Sequence, residues 1–250
     1  MTRTGGMTKV YIAAIMCLSA VCQASPQKRF GGGTDVSTND FPWMGSLQTN
    51  VTGTWTHICG LVSGMGKSAA ASAYHCFNTS SPLYDYRMVF DTNDLSDLSQ
   101  ATISNIEFAL LTASFTTNGP GYSYDNIEYR SATPVTDASD PQIGTAIDQA
   151  GLECEILGWG KLTDGTFPSL LQKRNVKLIS NAECQSRVSS LGATILSVDT
   201  CVDGNVISEG DDGSPLICNG AVVGVASWSA VGSCGKSVSV FIASGNFFVG

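Results

Sequence analysis

The chain has 250 residues, of which 43% are apolar and only 14% are charged. This length is sufficient for one large domain with a hydrophobic core or for two smaller lobes. The formal net charge of −8 argues against a nucleic-acid partner and against binding to anionic membrane surfaces.

The first 24 residues have the pattern of a secretory signal peptide. Arg3 and Lys9 supply positive charge, an apolar run occupies residues 10–21, and small residues lead to Ala24. A charged start, a short apolar run and a small-residue cleavage site occur in this order in signal peptides. The apolar run is too short to span a bilayer. We therefore predict cleavage after Ala24 and a secreted, extracellular protein.

Secretion determines how the cysteines are interpreted. The chain has nine cysteines, and Cys17 and Cys22 fall within the predicted signal peptide, so nine minus two leaves seven. In an oxidising compartment, seven cysteines predict three disulfides and one cysteine left over. Counting alone leaves the pairing open. Their spacing includes no pattern typical of a zinc site, and we expect no metal and no cofactor. The seven are Cys59, Cys76, Cys154, Cys184, Cys201, Cys218 and Cys234.

Two segments match the acceptor sequence for N-glycosylation. They begin at Asn50, in Asn50-Val51-Thr52, and at Asn78, in Asn78-Thr79-Ser80. Such sequences are glycosylated on surface loops of secreted proteins. Both asparagines are therefore predicted glycosylation sites.

Short β-prone runs recur between clusters of Gly, Ser, Asn and Asp. Many short strands at regular spacing favour an all-β sandwich or barrel over a parallel sheet. Residues 119–124 and 133–142 have the composition of connections, and the second is predicted to join two lobes. One helix is expected over residues 181–188, with Asn181 as its N-cap. The predicted strands are residues 87–90, 154–157, 175–179 and 221–228.

A series of motifs in one order resembles the chymotrypsin-like family of serine proteases. The resemblance extends over residues 30–248, and the agreement of many motifs in register makes it specific. The motifs are Lys28-Arg29-Phe30-Gly31-Gly32-Gly33, residues 41–48, His57-Ile58-Cys59-Gly60, Ala73-Tyr74-His75-Cys76, Asp125-Asn126-Ile127, Thr133-Pro134-Val135, Gly158-Trp159-Gly160, Leu171-Gln172, residues 209–215 and Ser227-Trp228-Ser229.

The resemblance implies an all-β fold of two antiparallel six-stranded β-barrels with a site in the cleft between them. It divides the chain into a signal peptide (1–24), a short propeptide (25–29) and a protease homology domain (30–250), with the family's C-terminal helix shortened or missing. It implies cleavage after Arg29, so that the new amino terminus of Phe30 pairs with Asp211. It also implies the disulfides Cys59–Cys76, Cys154–Cys218 and Cys184–Cys201, and leaves Cys234 as a free thiol because its usual partner position holds Ser208.

The resemblance assigns catalytic positions to His75, Asp125 and Asp212. In a working site the histidine takes a proton from a serine and a buried aspartate orients the imidazole. Here Asp212 stands where the resemblance implies the nucleophilic serine, and a carboxylate is a weak nucleophile for a peptide carbonyl. Two flanking carboxylates should also keep His75 protonated. The oxyanion hole would consist of the backbone amides of Gly210 and Asp212.

The implied specificity pocket also departs from the family. Ser229 and Ser239 stand at its two wall positions, where the family has glycine, and Val206 stands at its floor. Side chains on the walls should narrow the pocket, and an apolar floor offers no partner to Lys or Arg. Tyr74, which replaces a small residue beside His75, is expected to obstruct the cleft as well.

These residues favour a secreted, catalytically inactive serine protease homologue that acts by binding, as a cofactor, decoy or regulator in a proteolytic pathway. The expected partner is a protein or peptide ligand, including other proteases, rather than a nucleic acid or a membrane. One alternative is an active chymotrypsin-like serine endopeptidase with a narrowed apolar pocket. A second alternative is a structural protein of the extracellular matrix.

Overall fold

The structure is a computed structural model that describes residues 33–36, 40–64, 66–111, 115–145, 148–232 and 235–246. The predicted signal peptide and propeptide lie outside these residues, and so do Arg29, Phe30 and Cys234. The expectation of a shortened C-terminal helix concerns residues that are also outside this part of the chain. These expectations therefore stay predictions.

The N-terminal lobe is a curled antiparallel sheet with the strand order β6-β5-β2-β3-β4-β10-β7. Within the described residues its outer strands, β6 and β7, each pair on one side only, so the lobe is a half-barrel. A further two-stranded hairpin, β8–β9, lies between β7 and β10 in the sequence. The strands are β2 (Met44–Thr49), β3 (Thr56–Gly64), β4 (Ala69–Ser72), β5 (Tyr86–Phe90), β6 (Thr102–Asn105), β7 (Phe108–Leu111), β8 (Thr116–Asn118), β9 (Gly121–Ser123) and β10 (Ile127–Arg130).

The C-terminal lobe is a closed antiparallel barrel. Its six strands follow the order β12-β11-β14-β15-β16-β13, and pairing of β12 with β13 closes the barrel. The short strand β1 pairs with the start of β12. The architecture therefore confirms the chymotrypsin-like double-barrel fold, with one lobe closed and the other curled. The elements are β1 (Thr34–Asp35), β11 (Glu153–Gly158), β12 (Gln172–Ile179), α1 (Asn181–Val188), β13 (Asp199–Asp203), β14 (Pro215–Cys218), β15 (Ala221–Val231) and β16 (Ser237–Ala243).

Apolar side chains on alternate strand positions fill each lobe, and a separate cluster joins the two. Met44 and Val62 of the N-terminal lobe pack in one buried cluster with Leu157, Trp159 and Val225 of the C-terminal lobe. Burying a large apolar side chain stabilises a fold by about 1.5–3 kcal/mol. This shared core therefore holds the lobes in a defined relation and creates a cleft along their boundary.

The helix occupies the predicted residues, but its cap differs from the prediction. The N-cap is Ser180, whose hydroxyl oxygen accepts a hydrogen bond from the backbone N–H of Glu183. Asn181 is the first helical residue, and its side-chain amide donates to the carbonyl of Asp199 at 3.0 Å. Both residues are good caps by composition, so the choice between them depends on this tertiary contact.

Residues 119–124 are not the simple connection that their Gly and Pro content predicts. Gly119 has φ +59° and turns the chain, and Gly121–Ser123 then forms β9 against β8. A Cβ at Gly121 would clash with the indole ring of Trp228, so glycine allows this hairpin to lie directly on β15. The hairpin brings Tyr122 to the cleft.

The structure contains the three disulfides implied by the resemblance, Cys59–Cys76, Cys154–Cys218 and Cys184–Cys201. The first ties β3 to the one-turn 3-10 helix Tyr74–Cys76, which carries His75. In the part of the chain that the structure describes, no helix combines the length and apolarity needed to cross a membrane.

Candidate active site

His75 and Asp125 form a fixed pair in the cleft. His75 lies on the 3-10 turn after β4, and Asp125 lies two residues before the start of β10. One carboxylate oxygen of Asp125 accepts from the backbone N–H of His75 at 2.9 Å. The other accepts from His75 Nδ1 at 2.7 Å and from the Ser227 hydroxyl at 2.5 Å. Because Asp125 is fully buried, these donors fix the imidazole orientation and place a proton on Nδ1.

Asp212 lies on the opposite side of the same imidazole. Its Oδ2 atom is 3.3 Å from His75 Nε2. The backbone of this turn is anchored across the lobes, because the carbonyl of Asp212 accepts from the N–H of Gly60 at 2.8 Å. The next residue, Gly213, has φ +78°, and a Cβ there would clash with Ser72 and Gly60. Glycine at this position therefore allows the turn that contains Asp212 to pack closely against the N-terminal lobe.

The two carboxylates determine the charge of His75. Burial by itself would lower the pKa of His75, but the hydrogen bonds and negative charges of Asp125 and Asp212 outweigh it and raise the pKa to about 10. Burial raises the pKa of Asp212, an effect that the neighbouring His75 opposes. At neutral pH, His75 is thus an imidazolium whose two N–H groups face two carboxylates.

A layer of aromatic rings covers His75 on its cleft side. Tyr122 stacks on the imidazole with the ring centres 4.5 Å apart and the planes inclined by 17°. Phe115 packs against Tyr122, and Tyr74 packs against Phe115 at 4.5 Å. The Tyr74 ring lies against Phe115 and also packs on the N-terminal core; that it obstructs the cleft stays a prediction. Sequence reasoning missed Tyr122, since only the hairpin geometry brings it to His75.

The second histidine, His57, supports the loop that contains Gly210. Its Nε2 donates to the carbonyl of Gly210 at 2.9 Å, and its Nδ1 accepts from the Ser46 hydroxyl at 2.8 Å. Burial lowers the pKa of His57 to about 4, although the Gly210 carbonyl acts in the opposite direction. His57 is therefore a neutral residue that supports the loop containing Gly210. The conformation of Gly210, with φ +95°, strongly favours glycine.

Asp211 is buried beside the candidate site. Its carboxylate accepts from the N–H of Gly160 at 2.9 Å and from both the N–H and the hydroxyl of Ser208, at 3.0 and 2.8 Å. A Cβ at Gly158 or Gly160 would clash with this carboxylate, so the two glycines make room for it. Burial raises the pKa of Asp211 to about 7, even though these hydrogen bonds lower it. Its predicted partner, the amino terminus of Phe30, lies outside the described residues.

The other hydroxyl groups near Asp212 are turned away from His75. Ser214 is buried, and its hydroxyl has no hydrogen-bond partner among the residues described. Ser208 donates to Asp211 and is also 2.9 Å from the carbonyl of Lys161. Ser227 donates to Asp125. None of the three contacts His75 Nε2 in the way that an attacking serine must.

A hydrogen bond between two hydroxyl groups, called here the hydroxyl bridge, joins two of the predicted pocket residues. Ser229 and Ser239 face each other on β15 and β16 with their hydroxyl oxygens 2.6 Å apart. Ser239 also donates to the carbonyl of Gly204 and accepts from the N–H of Val206. Of the predicted pocket residues, Ser229 alone lines the cleft cavity, while Val206 and Ser239 are buried. The Ser239 hydroxyl of this bridge holds the backbone N–H of the buried Val206, so we infer that the bridge closes the pocket. The assignment of Val206 to the pocket floor stays a prediction.

Cavities lie on both sides of Asp212. The cavity on the Tyr122 side has a volume of about 330 Å³ and is mainly polar, and the one on the His57 side has about 360 Å³ and is mainly apolar. Asp212, His75 and Glu209 line both of them. The remaining residues of the first cavity are Tyr122, Asn205, Ile207, Ser208, Ser227, Trp228 and Ser229, and those of the second are His57, Ile58, Cys59, Cys76, Phe167 and Gly210.

The two predicted glycosylation sites lie in turns outside the cleft. Asn78 is exposed, and its side-chain oxygen accepts from the N–H of Ser80. Asn50 is half-buried. In the described part of the chain, no group of three His, Cys, Asp or Glu side chains could hold a metal ion.

A two-lobed β-barrel fold with a buried aspartate behind a histidine in the interlobe cleft defines the architecture of the chymotrypsin-like serine proteases. Comparison with known proteins agrees. The trypsin family model matches residues 30–248, and the chain belongs to this family.

Three relatives show how far the similarity extends. The chain is 33% identical to the fibrinolytic enzyme, isozyme C, of Lumbricus rubellus over 221 residues, which cover 81% of this chain and 90% of that protein. It is 28% identical to a chymotrypsin-like serine proteinase of Haliotis rufescens over 248 residues, covering 94% and 95%. It is 27% identical to human kallikrein-12 over 231 residues, covering 90% and 89%.

Proposed function

We propose that this protein is a secreted, catalytically inactive member of the trypsin family that binds a protein or peptide ligand in its interlobe cleft. The observation that carries the proposal is the contact of 3.3 Å between Asp212 Oδ2 and His75 Nε2. In an active member of the family, a serine hydroxyl must approach this nitrogen in order to transfer its proton. We infer that Asp212 occupies the position of that serine.

Peptide hydrolysis at this site lacks both of its proton-transfer partners. The imidazolium of His75, with a pKa of about 10, has no lone pair with which to accept a proton at neutral pH. Attack by the Asp212 carboxylate on a peptide carbonyl would give a reactive anhydride rather than a stable ester. Loss of the nucleophile from a serine protease triad lowers turnover by about 10⁶.

Residual catalysis by the oxyanion hole is also opposed. In the family the backbone amides at the Gly210 and Asp212 positions stabilise a negative oxygen. Here the carboxylate of Asp212 adds negative charge beside that position, so it repels the developing oxyanion. The cavities on each side of Asp212, with volumes of about 360 and 330 Å³, support the proposal that the cleft holds a peptide chain.

Secretion and a regulatory role complete the proposal. The signal-peptide pattern over residues 1–24 and the three disulfides fit an oxidising, extracellular compartment. Cleavage after Arg29 would then release an amino terminus for Asp211 and order the binding surface. A binding protein built on a protease scaffold is suited to act as a cofactor, decoy or regulator among active proteases.

An active chymotrypsin-like endopeptidase is the second candidate. Its support is the intact geometry of His75, Asp125 and Ser227, together with the enzyme names of the relatives. The test is incubation of the secreted protein, cut after Arg29, with a diverse peptide library that is analysed by mass spectrometry. We expect an uncut library. Reproducible cleavage that is absent from a His75→Ala variant would establish the enzyme and refute our proposal.

A further inference from the structure

Within the part of the chain that the structure describes, the group of His75, Asp125 and Asp212 at the floor of the cleft has one negative charge in excess. His75 contributes one positive charge, and Asp125 and Asp212 contribute two negative charges, which leaves one in excess. Lys161 is already paired, at 2.5 Å, with Glu209, which lines both cavities. Among the residues that the structure describes, no lysine or arginine lines either of the cavities beside Asp212.

The excess charge resides on Asp212 rather than on Asp125. Asp125 accepts three hydrogen bonds and is fully buried. Within the described residues, the Asp212 carboxylate has a single polar partner, His75 Nε2, at the longer distance of 3.3 Å. The Asp212 side chain is 25% exposed and faces both cavities. A carboxylate has about four acceptor sites, so this one can still bind a donor that enters the cleft.

The surroundings of Asp212 suit a positively charged donor. In the polar cavity, the hydroxyl groups of Ser208, Ser227 and Ser229 can accept hydrogen bonds from an ammonium or guanidinium group. The Tyr122 side chain also lines this cavity. A hydroxyl-rich pocket with a carboxylate at its base therefore favours a cation over an apolar side chain.

An anionic ligand is disfavoured by the same geometry. Both N–H groups of the His75 imidazolium face carboxylates, at 2.7 Å for Asp125 and 3.3 Å for Asp212. An incoming carboxylate would find no free donor on this ring, and it would meet the charge of Asp212 at close range. The positive charge of His75 is thus screened from ligands, whereas the negative charge of Asp212 is accessible.

We propose that the cleft selects a positively charged group of its peptide ligand, a Lys or Arg side chain or a peptide α-ammonium, which pairs with the Asp212 carboxylate in the cavity lined by Tyr122, Ser208 and Ser229. This inference rests on the proposed function, because it assumes that a peptide enters the cleft. It assigns Asp212 a ligand-binding role in place of a catalytic one.

The experiment uses the full secreted protein and a set of short peptides. Three are acetylated and amidated Ala-Ala-Xaa-Ala-Ala, with Xaa as Lys, norleucine or Glu, and the fourth is the norleucine peptide with a free amino terminus. Norleucine keeps the alkyl chain of Lys without its charge. Dissociation constants are measured by NMR titration for the wild type, for Asp212→Asn, and for Asp137→Asn, an exposed carboxylate that lines neither cavity.

We expect the Lys peptide to bind about two- to fivefold more tightly than the blocked norleucine peptide, the range typical of a partly exposed charge pair. The Glu peptide should bind most weakly. The preference for Lys should disappear in Asp212→Asn and persist in Asp137→Asn. A preference for the free-amine peptide would identify the α-ammonium as the source of the cation, and a preference for the Lys peptide would identify the side chain.

Three results would overturn the inference while leaving the proposed function intact. The first is that neither the Lys peptide nor the free-amine norleucine peptide binds more tightly than the blocked norleucine peptide, and the second is a preference for a cationic peptide that survives in Asp212→Asn. The third is tightest binding of the Glu peptide. Failure of every peptide to bind the wild-type protein would instead count against the proposed peptide-binding cleft, and the inference would fail with it.

Discussion

Replacement of Asp212 by asparagine should lower the pKa of His75 by a predictable amount. The two groups are 3.3 Å apart and their side chains are 25% and 19% exposed. Coulomb's law with an effective dielectric constant of about 20 gives an attraction on the order of 5 kcal/mol at this distance. Water reaches both groups, so we expect about half of that value. Since about 1.4 kcal/mol corresponds to one pH unit of pKa, the pKa should fall from about 10 to about 8.

The assay is a proton NMR titration of the imidazole signals. The chain has two histidines, and His57, whose pKa burial lowers to about 4, titrates far from His75. A His75→Gln variant assigns the two signals, because it lacks one of them. The exposed carboxylate of Asp137 provides the matched control, and Asp137→Asn should leave the pKa of His75 unchanged.

The sign of the effect follows from linkage. The folded-state pKa of His75 is raised, so its ion pairs stabilise the protein fully below about pH 6.5, and this contribution is lost as the pH rises through about 10. In Asp212→Asn the loss should begin at a correspondingly lower pH. A pKa of His75 that stays at about 10 in Asp212→Asn would refute the argument that Asp212 holds the imidazole in its charged form.

Three further predictions concern the pocket and the buried carboxylate. Asp212→Ser alone should restore little cleavage of a peptide substrate with a large apolar side chain, because the bridge between Ser229 and Ser239 still closes the pocket. Adding Ser229→Gly and Ser239→Gly should raise the turnover rate by about tenfold or more. Robust turnover by the single variant would contradict this prediction. Ser239→Ala should lower the free energy of unfolding in urea by about 1–3 kcal/mol, since it leaves a buried N–H without its acceptor, and a change below about 0.5 kcal/mol would disprove that role. Burial raises the pKa of Asp211 to about 7, so its contribution to stability is present below about pH 4 and is lost as the pH rises through about 7. Cleavage after Arg29 should remove this loss, because it supplies an ammonium group that pairs with Asp211. Melting temperatures measured at pH 5 and pH 8, before and after cleavage, test this, and an unchanged pH dependence would count against the pairing.

Much of the site could be predicted from motif order. His75 and Asp125 were identified because each stands in a recognisable block, and the structure brings them within 2.7 Å of each other. The disulfide pairs could be taken from the resemblance for the same reason. Tyr122 could not be identified in this way, because it lies in a Gly- and Pro-containing segment that has the composition of a connection.

The predicted pocket shows the limit of arguments from side-chain identity. Serine at positions 229 and 239 predicted a narrower pocket, but it did not predict that the two hydroxyls form a bridge. The bridge depends on the register between β15 and β16, which places these two residues directly opposite each other. Strand register is a cooperative property of the whole barrel, so local sequence does not contain it.

The amino-acid sequence by itself determined the class of fold, the family and the chemistry available at Asp212. Short alternating strands, the order of the motifs and the identity of one side chain depend only on local composition and spacing. Tertiary structure alone decided which groups meet: Tyr122 stacks on His75, and, among the described residues, three donors surround the Asp211 carboxylate and one polar group contacts the Asp212 carboxylate. These contacts join residues far apart in the chain, and the strength of each charge depends on burial and on neighbours that exist only after the two lobes have packed together.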